Sequence, residues 1–580
     1  MMRKLTTSLL LLALLPIAAS AQGVEDRPTR TITDADIEAD DNVTFYADSV
    51  YVLDGAVFVE AGAELHIQSG TVIKAQDGQD LDASALIITR GAQIFAEGTA
   101  TDPIIFTSIQ DNISSADALT YEDRGLWGGV IILGDASTNN QPPPGDLEEI
   151  EGVNELLADG DTRDQFGGTD DDDDSGVFRY VSIRHTGINI GESAGNEIQG
   201  LTLGGVGNGT TIEYVESYSS ADDGFEFFGG AVNTKYLVSA FNGDDAFDYD
   251  QGFRGNHQFW FAIQGTDEAG ALAEQDGAGG TEIFEPFAIP VVYNATYIGA
   301  GVDATPAGDR AEALMFRDNA GGKYYNSIFT EYNSAEGGFA LTIENLDTST
   351  GSTTRDSQQR FEEGDLVLSN NIWGEFGNGS TFAEIVTDDD GNRAAIVAAL
   401  NDWDNLATDP MLAGITRSTT PSGALDPRPL PGSPALSSDL AAYPDGSFFT
   451  EVDFIGAFGE DLWIEGWTAL DVLGYVGRIS NIAIEKNPTD EIPQRVSLGQ
   501  NYPNPFNPTT KIEFALDRTQ GIRLAIYDVL GRQVRVLVDG LQQAGEYSVS
   551  FDGSGLASGT YVYMLNTEND TAVRKMSLIK

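Results

Sequence analysis

The 580-residue chain contains no cysteine. That excludes a disulfide framework, a Cys-ligated zinc or iron–sulfur centre, a thiol nucleophile and a lipoprotein anchor, which needs a Cys after its signal. Basic residues are scarce: 31 Lys and Arg face 91 Asp and Glu, for a formal net charge of −60. A body this acidic repels phosphate backbones and anionic membrane surfaces, so no nucleic-acid partner is expected. The only histidines are His66, His185 and His257, and no Ser-His-Asp order or nucleophile elbow accompanies them. No stretch is long and apolar enough for a transmembrane helix in the mature chain, and after residue 22 helical periodicity is scarce. What remains is 41% hydrophobic with 66 glycines, enough apolar residues for a packed core in a chain of many turns.

The first 21 residues read as a secretory signal. Arg3 and Lys4 supply the positive start, and Leu9 to Ala19 is an apolar run too short to span a bilayer. Ala19-Ser20-Ala21 is a small-x-small cleavage site that would leave Gln22 as the mature start. The charge is unevenly placed. Residues 498–580 hold eight basic and eight acidic residues, so nearly the whole excess lies upstream. Such a step marks a domain boundary. The expected division is a signal over 1–21, a body over 22–480, a linker over 481–497 and a tail over 498–580.

The body reads as short β-rich runs bounded by Gly, Asn and Asp, and it repeats. Val57 through Leu65 matches Leu86 through Ile94, an offset of 29. Further on, Asp222 maps to Asp244, Phe225 to Phe247 and Gly230 to Gly252, an offset of 22. Later echoes begin at Tyr293, Tyr325 and Asn370. A period near 22 with short strands and turns means coils that bury their apolar residues only by stacking. This predicts a right-handed parallel β-helix, a solenoid of some fifteen coils about 70 Å long at the interstrand spacing. A leucine-rich horseshoe lacks its helical half here, and a propeller wants periods near 40. Variable coil lengths predict protruding loops at about 135–175, 265–280 and 347–363. The first is densely acidic: residues 146–174 hold 13 acidic residues, Asp170 to Asp174 among them, and one basic, Arg163. Short helices are expected over 149–158 and 392–401.

The tail alternates differently. A turn cluster with three prolines, Tyr502 to Pro508, precedes strands at 511–516, 522–527, 534–538, 547–551, 561–565 and 573–578, with turns at Gly531, Gly540, Gly545 and Gly555. This predicts a small Ig-like β-sandwich. The residues Tyr502, Pro503, Asn504, Pro505, Phe506, Asn507 and Pro508, then Tyr527, Asp528 and Gly531, Ser558-Gly559-Thr560-Tyr561, and the closing Lys575 and Met576 resemble the type A C-terminal sorting domain of the type IX secretion system of Bacteroidota. That resemblance implies recognition by the type IX machinery, export to the outer surface or medium, and removal of the tail. The stretches Gly200 to Gly207, Asp222 to Gly230 and Ile455 to Gly459 resemble a β-helical surface-protein group often found with this signal, which implies architecture rather than chemistry.

The strongest candidate for chemistry is the pair of pairs Asp222-Asp223 and Asp244-Asp245. If the offset of 22 is one coil, they stack about 5 Å apart, too close for all four to ionise without a cation. Calcium takes six to eight oxygens of this kind, and Glu226, Asp248 and Asp250 alternate nearby. Arg254 or His257 would be the base of a calcium-dependent lyase, and paired aspartates could serve inverting hydrolysis. The competing reading, which the residue types favour, is that these aspartates cap backbone N–H groups in stacked turns. The Asp170–Asp174 run reads as a solvated loop or a weak cation site, and Asp388-Asp389-Asp390 as a turn before a helix, since neither completes an EF-hand loop. Gly204 to Gly209 lacks the strand-to-helix context of a phosphate cradle. Phe227, Phe228, Tyr249, Phe253, Phe259, Trp260 and Phe261 are either a sugar-stacking platform or internal stacks. His66 and His185 sit on strands. The acidity fits a saline habitat or divalent cations. Two functions follow: a secreted binding, adhesive or structural β-helix with a polysaccharide or cell-surface glycan as ligand, or a calcium-dependent polysaccharide lyase or glycoside hydrolase.

Overall fold

The computed structural model describes residues 24–579 except 114–118, 140–146, 159, 191–196, 280, 309, 347–354, 389–390, 420, 422, 445, 447, 477–484, 487–492, 494, 519, 528–532, 543, 553–557 and 568–570. The expected signal and its cleavage residues Ala19, Ala21 and Gln22 lie outside the described residues, as do Asp528 and Gly531 of the sorting motif.

The body is a parallel β-helix. One sheet stacks nine parallel strands: Ala56–Val59, Ala85–Ile88, Val130–Leu133, Leu201–Gly204, Phe225–Phe228, Phe247–Asp250, Ala273–Asp276, Glu312–Arg317 and Phe339–Ile343. The offsets of 29 and 22 are single coils, since Val57 pairs with Leu86 and Phe225 with Phe247. A longer sheet supplies the other two walls of each coil as two files of strands. The deeper file runs from Thr29–Ile32 to Leu406–Ala407. It has twelve rungs among the described residues, so the solenoid is about 50 Å long, shorter than the fifteen coils expected. The difference is chain spent on insertions and on a segment that leaves the coil.

The corner between the two files needs one residue with positive φ, and the chain supplies it in register. Tyr180, Tyr214, Tyr236, Phe259, Asn294, Asn326 and Asn370 have φ between 49° and 60°. Asn tolerates this left-handed region. For the aromatic residues stacking offsets the strain: ring centroids lie 4.3, 4.2 and 4.9 Å apart along Tyr180–Tyr214–Tyr236–Phe259. The interior holds a second stack, with Phe225 on Phe247 at 5.3 Å and Phe247 on Trp260 at 4.4 Å.

Residues 409–476 leave the coil and fold back along this corner. Asn294, Asn326 and Asn370 donate from Nδ2 to the carbonyls of Phe454, Ala441 and Asp439. Trp463 and Trp467 meet the tyrosine ladder edge-on. Buried Glu216 accepts from the backbone N–H groups of Ala469 and Leu470, with the Arg184 guanidinium buried beside it. The Ile455–Gly459 stretch belongs to this strap: Gly456 N–H donates to Asn326 O and Ala457 N–H to Thr296 Oγ1.

Several local expectations change. The stretch 149–158 forms a strand, Glu148–Glu149, and a 3₁₀ turn, Asn154–Leu156, rather than a helix. The loop expected at 265–280 contains Ala273–Asp276, a full member of the nine-strand sheet. The helix near 392 is Arg393–Asp402, and another, Ser357–Glu363, lies in the third loop. In the tail, two four-stranded antiparallel sheets enclose a core of Ile512, Phe514, Leu524, Ile526, Tyr563 and Met576. Gly540 lies inside the strand Gln533–Gln542 instead of at a turn. Glu485–Lys486 and Ser497, within the stretch read as a linker, lie on short strands that pair with tail strands. Phe506 of the proline cluster is buried and bonds the last strand through Ser577 and Ile579, while Tyr502 and Lys575 are exposed.

Candidate carboxylate site

The strand period of two decides which side chains leave the core. Phe225, Phe227, Phe247 and Tyr249 point inward, so Glu226, Asp248 and Glu274 share the outer face. They are in register: Glu226 opposite Asp248, Asp248 opposite Glu274. In earlier coils this file is Phe58, Ile87, Ile131 and Thr202. Apolar groups there pack under the insertion through Ile150, Val153 and Phe166. The outer face therefore switches from oily to acidic midway along the solenoid.

The aspartate pairs enter this row from the turn before each strand. Asp223 Oδ1 accepts from Asp245 N–H at 2.9 Å, and Asp245 Oδ1 accepts from Ala271 N–H one coil on. The turn-capping reading thus holds for one oxygen of each. The other groups converge. Asp222, Asp223 and Asp244 each offer an oxygen within 4.8 Å of the others, and so do Asp223, Glu226 and Asp248. Asp223 belongs to both groups. Asp245 turns the other way, its carboxyl hydrogen-bonded to Glu274, which raises Asp245 and lowers Glu274. Glu274 also takes the guanidinium groups of Arg310 and Arg317, and Asp276 takes Arg317 at 2.6 Å. Glu226 and Asp248 were legible only as neighbours of the pairs; their signal is the polar residue alternating with aromatics in Phe225–Phe228 and Phe247–Asp250.

The cluster is partly covered: Glu226 is 6% exposed and Asp223 7%, while Asp222, Asp244 and Asp248 are half-buried. Glu151, from the acidic insertion, and Glu197, on the short strand Glu197–Ile198, approach Asp222. Burial, then the neighbouring carboxylates, pushes Asp222, Asp223, Glu226, Asp245 and Asp248 well above the usual carboxylate range. The same causes raise Asp250 and Glu151 to about 7. Two buried oxygens, Glu226 Oε2 and Asp248 Oδ1, have no hydrogen-bond partner. Hard, charged oxygens of this number and flexibility suit calcium.

The other candidates are placed elsewhere. His257 lies inside the coil, not on the surface. It bonds Thr234 Oγ1 through Nδ1, packs against Phe253 and Trp260, and is pushed down to about 3 by burial, so it cannot serve as a base for an external substrate. Arg254 pairs with Asp171 and Ser137. The Asp170–Asp174 loop is solvated at Asp170, Asp172 and Asp174, as expected, but held by hydrogen bonds. Asp171 accepts from Ser137 N–H, Asp172 from Asn208 and Asp174 from Gly176 N–H. The glycines of Gly204 to Gly209 explain themselves here: a Cβ at Gly207 would lie 2.5 Å from Asp173 N and one at Gly209 2.6 Å from Asp172 O. The aromatic set from Phe227 to Phe261 is buried and is no open platform. His66 is half-buried, bonded to Glu64 and stacked on Phe95. His185 is buried against Asp123 O. Asp389 and Asp390 lie outside the described residues.

A parallel three-walled coil is the architecture of a β-helix, and comparison with known families agrees. A family model described as a pectate-lyase like beta helix domain matches residues 37–398, and the chain belongs to that family. A second, described as a secretion system C-terminal sorting domain, matches residues 500–580. The tail marks the protein for export by the type IX secretion machinery to the cell surface or extracellular space. No curated protein matches the chain, and no solved structure does. Among the described residues no helix is long and apolar enough to cross a membrane.

Proposed function

We propose that the exported body is a binding or structural β-helix stabilised by a divalent cation, calcium by its chemistry, held by Asp223, Glu226 and Asp248. The observation that carries this reading is the pair of buried, unpartnered oxygens, Glu226 Oε2 and Asp248 Oδ1, directed into a carboxylate cluster. A buried carboxylate without a partner is costly unless protonated or ion-bound. The burial of Asp223 and Glu226 favours a structural ion over one that meets a polymer. Delivery outside the cell makes extracellular glycans the available ligands.

A second reading, a calcium-dependent lyase, is favoured by one feature: Arg310 and Arg317 stand beside the carboxylates on the same outer face. Both are engaged by Glu274, which weighs against a free base. One experiment separates the readings. The full chain is incubated with acidic polysaccharides and calcium, and unsaturated products and melting temperature are followed. A melting temperature raised by calcium, with no product, supports the structural ion. Product lost in Arg317→Ala supports the lyase. No calcium response in either assay refutes both.

A further inference from the structure

We infer that the type IX secretion machinery docks on the outer face of the tail sheet that ends in Thr571–Leu578. Three observations carry this. First, the face is apolar where a sandwich ordinarily exposes polar side chains. Leu524, Ile526, Tyr563, Leu565 and Met576 fill the core. The strand period of two therefore turns Ala525, Tyr527, Val562, Met564 and Val573 outward. They form one patch across the strands Gln520–Tyr527, Gly559–Thr567 and Thr571–Leu578. Ala525, Met564 and Val573 stand opposite one another in one row, and Tyr527, Val562 and Lys575 in the next. Val573 is 44% exposed, and Tyr527, Val562 and Met564 are half-buried.

Second, the opposite sheet keeps the ordinary pattern. With Ile512, Phe514, Tyr547 and Val549 in the core, Glu513 faces outward opposite Ser548, and Glu546 opposite Ala515. A contiguous apolar patch on one face alone marks an interaction site. Third, strand pairing places Tyr527 and Lys575, far apart in the chain and both read from the sequence as parts of the sorting motif, in a single row about 10 Å across. Residues 500–580 match a secretion system sorting domain, so the machinery that exports the chain is the partner this surface serves. Arg574 and Lys575 are exposed on the edge strand, so the complementary surface is apolar with carboxylates opposite that edge.

The test follows export of the full chain, produced in a bacterium with a type IX system, by blotting medium, cell surface and periplasm. Tyr527→Ser, Met564→Ser/Val573→Ser and Lys575→Glu should each lower export about tenfold or more, the effect of losing an interface anchor, and leave folded, uncleaved chain in the periplasm. Lys575→Arg should export as wild type does, and so should Glu513→Ser/Glu546→Ser on the other sheet. Circular dichroism and thermal melting of the purified full chains confirm folding. Lys575 is exposed, so Lys575→Glu keeps the test open if the apolar changes loosen the sandwich. Wild-type export by the folded face variants overturns the inference, as does equal loss in Glu513→Ser/Glu546→Ser. Unchanged export with a lowered melting temperature of the full chain assigns the face to the body. Unchanged export with a dimer turned to monomer in sedimentation assigns it to a second copy. Either result overturns docking of the machinery.

Discussion

Stripping divalent cations should turn the protein into one whose stability falls as pH rises. Asp250 and Glu151 are raised to about 7 and Asp276 to about 6, and the cluster carboxylates are raised well above their ordinary range too. A carboxyl with a folded pKa above its unfolded value binds more protons folded than unfolded. Its stabilisation is complete below the unfolded pKa, near 4, and is lost as pH climbs through the folded value. For Asp250, a rise from 3.8 to about 7 corresponds to about 4 kcal/mol at most. Two ionised groups 4.8 Å apart, as in the cluster, repel by roughly 3.5 kcal/mol at an effective dielectric constant of 20. Domains are stable by only about 5–15 kcal/mol, so either quantity is large. Calcium replaces the lost protons with bound charge. The assay is thermal unfolding of the full chain, with EDTA or calcium, at pH 5 and pH 8. The two should coincide at pH 5. At pH 8 the EDTA sample should melt on the order of 5–10 °C lower. An EDTA melting temperature that is flat or rises between these pH values would refute the reasoning.

Three further perturbations probe the frame around the site. Glu216→Ala removes the negative charge near the buried Arg184 guanidinium, linked to it through Ser182 Oγ, and the acceptor for Ala469 and Leu470; it should cost about 3–5 kcal/mol, and limited proteolysis should cut first within 439–476. Tyr214→Ala should cost about 3–5 kcal/mol in urea unfolding by opening the ladder between Tyr180 and Tyr236, whereas Tyr214→Phe keeps the stack and should cost under about 1.5 kcal/mol. His257, held neutral by burial with its pKa near 3, should show an unprotonated imidazole by NMR at pH 5 in the folded protein; a midpoint near 6.5 would mean it is solvated.

The solenoid was readable because its coil is short and locally repeated. Asp222, Asp223, Phe225 and Gly230 recur as Asp244, Asp245, Phe247 and Gly252, and pairing follows that spacing. The tail was readable for another reason, a clustered proline turn followed by alternating strands. Three things were hidden. The corner of the coil depends on backbone φ, which Asn294, Asn326 and Asn370 hint at but which Tyr180, Tyr214 and Tyr236 disguise, since aromatic residues seldom take positive φ. The strap over 409–476 has no repeat of its own, and its partners are far away in sequence, as with Asn294 and Phe454. At the site, the paired aspartates drew the eye, yet Asp245 belongs to Glu274 and Ala271 while Glu226 and Asp248 complete the cluster. Alternation shows that these two leave the core. It does not show that Glu226 lies within reach of Glu151 from the acidic insertion, nor that these carboxylates are buried, and burial is what gives them their altered chemistry.

The central claim is that the carboxylate row holds a metal ion, and anomalous diffraction from crystals soaked with terbium tests it most directly. The account predicts a peak between Asp223, Glu226 and Asp248, lost in Glu226→Gln/Asp248→Asn. Peaks confined to other acidic surfaces, with the cluster closed by carboxyl–carboxylate hydrogen bonds, would contradict it.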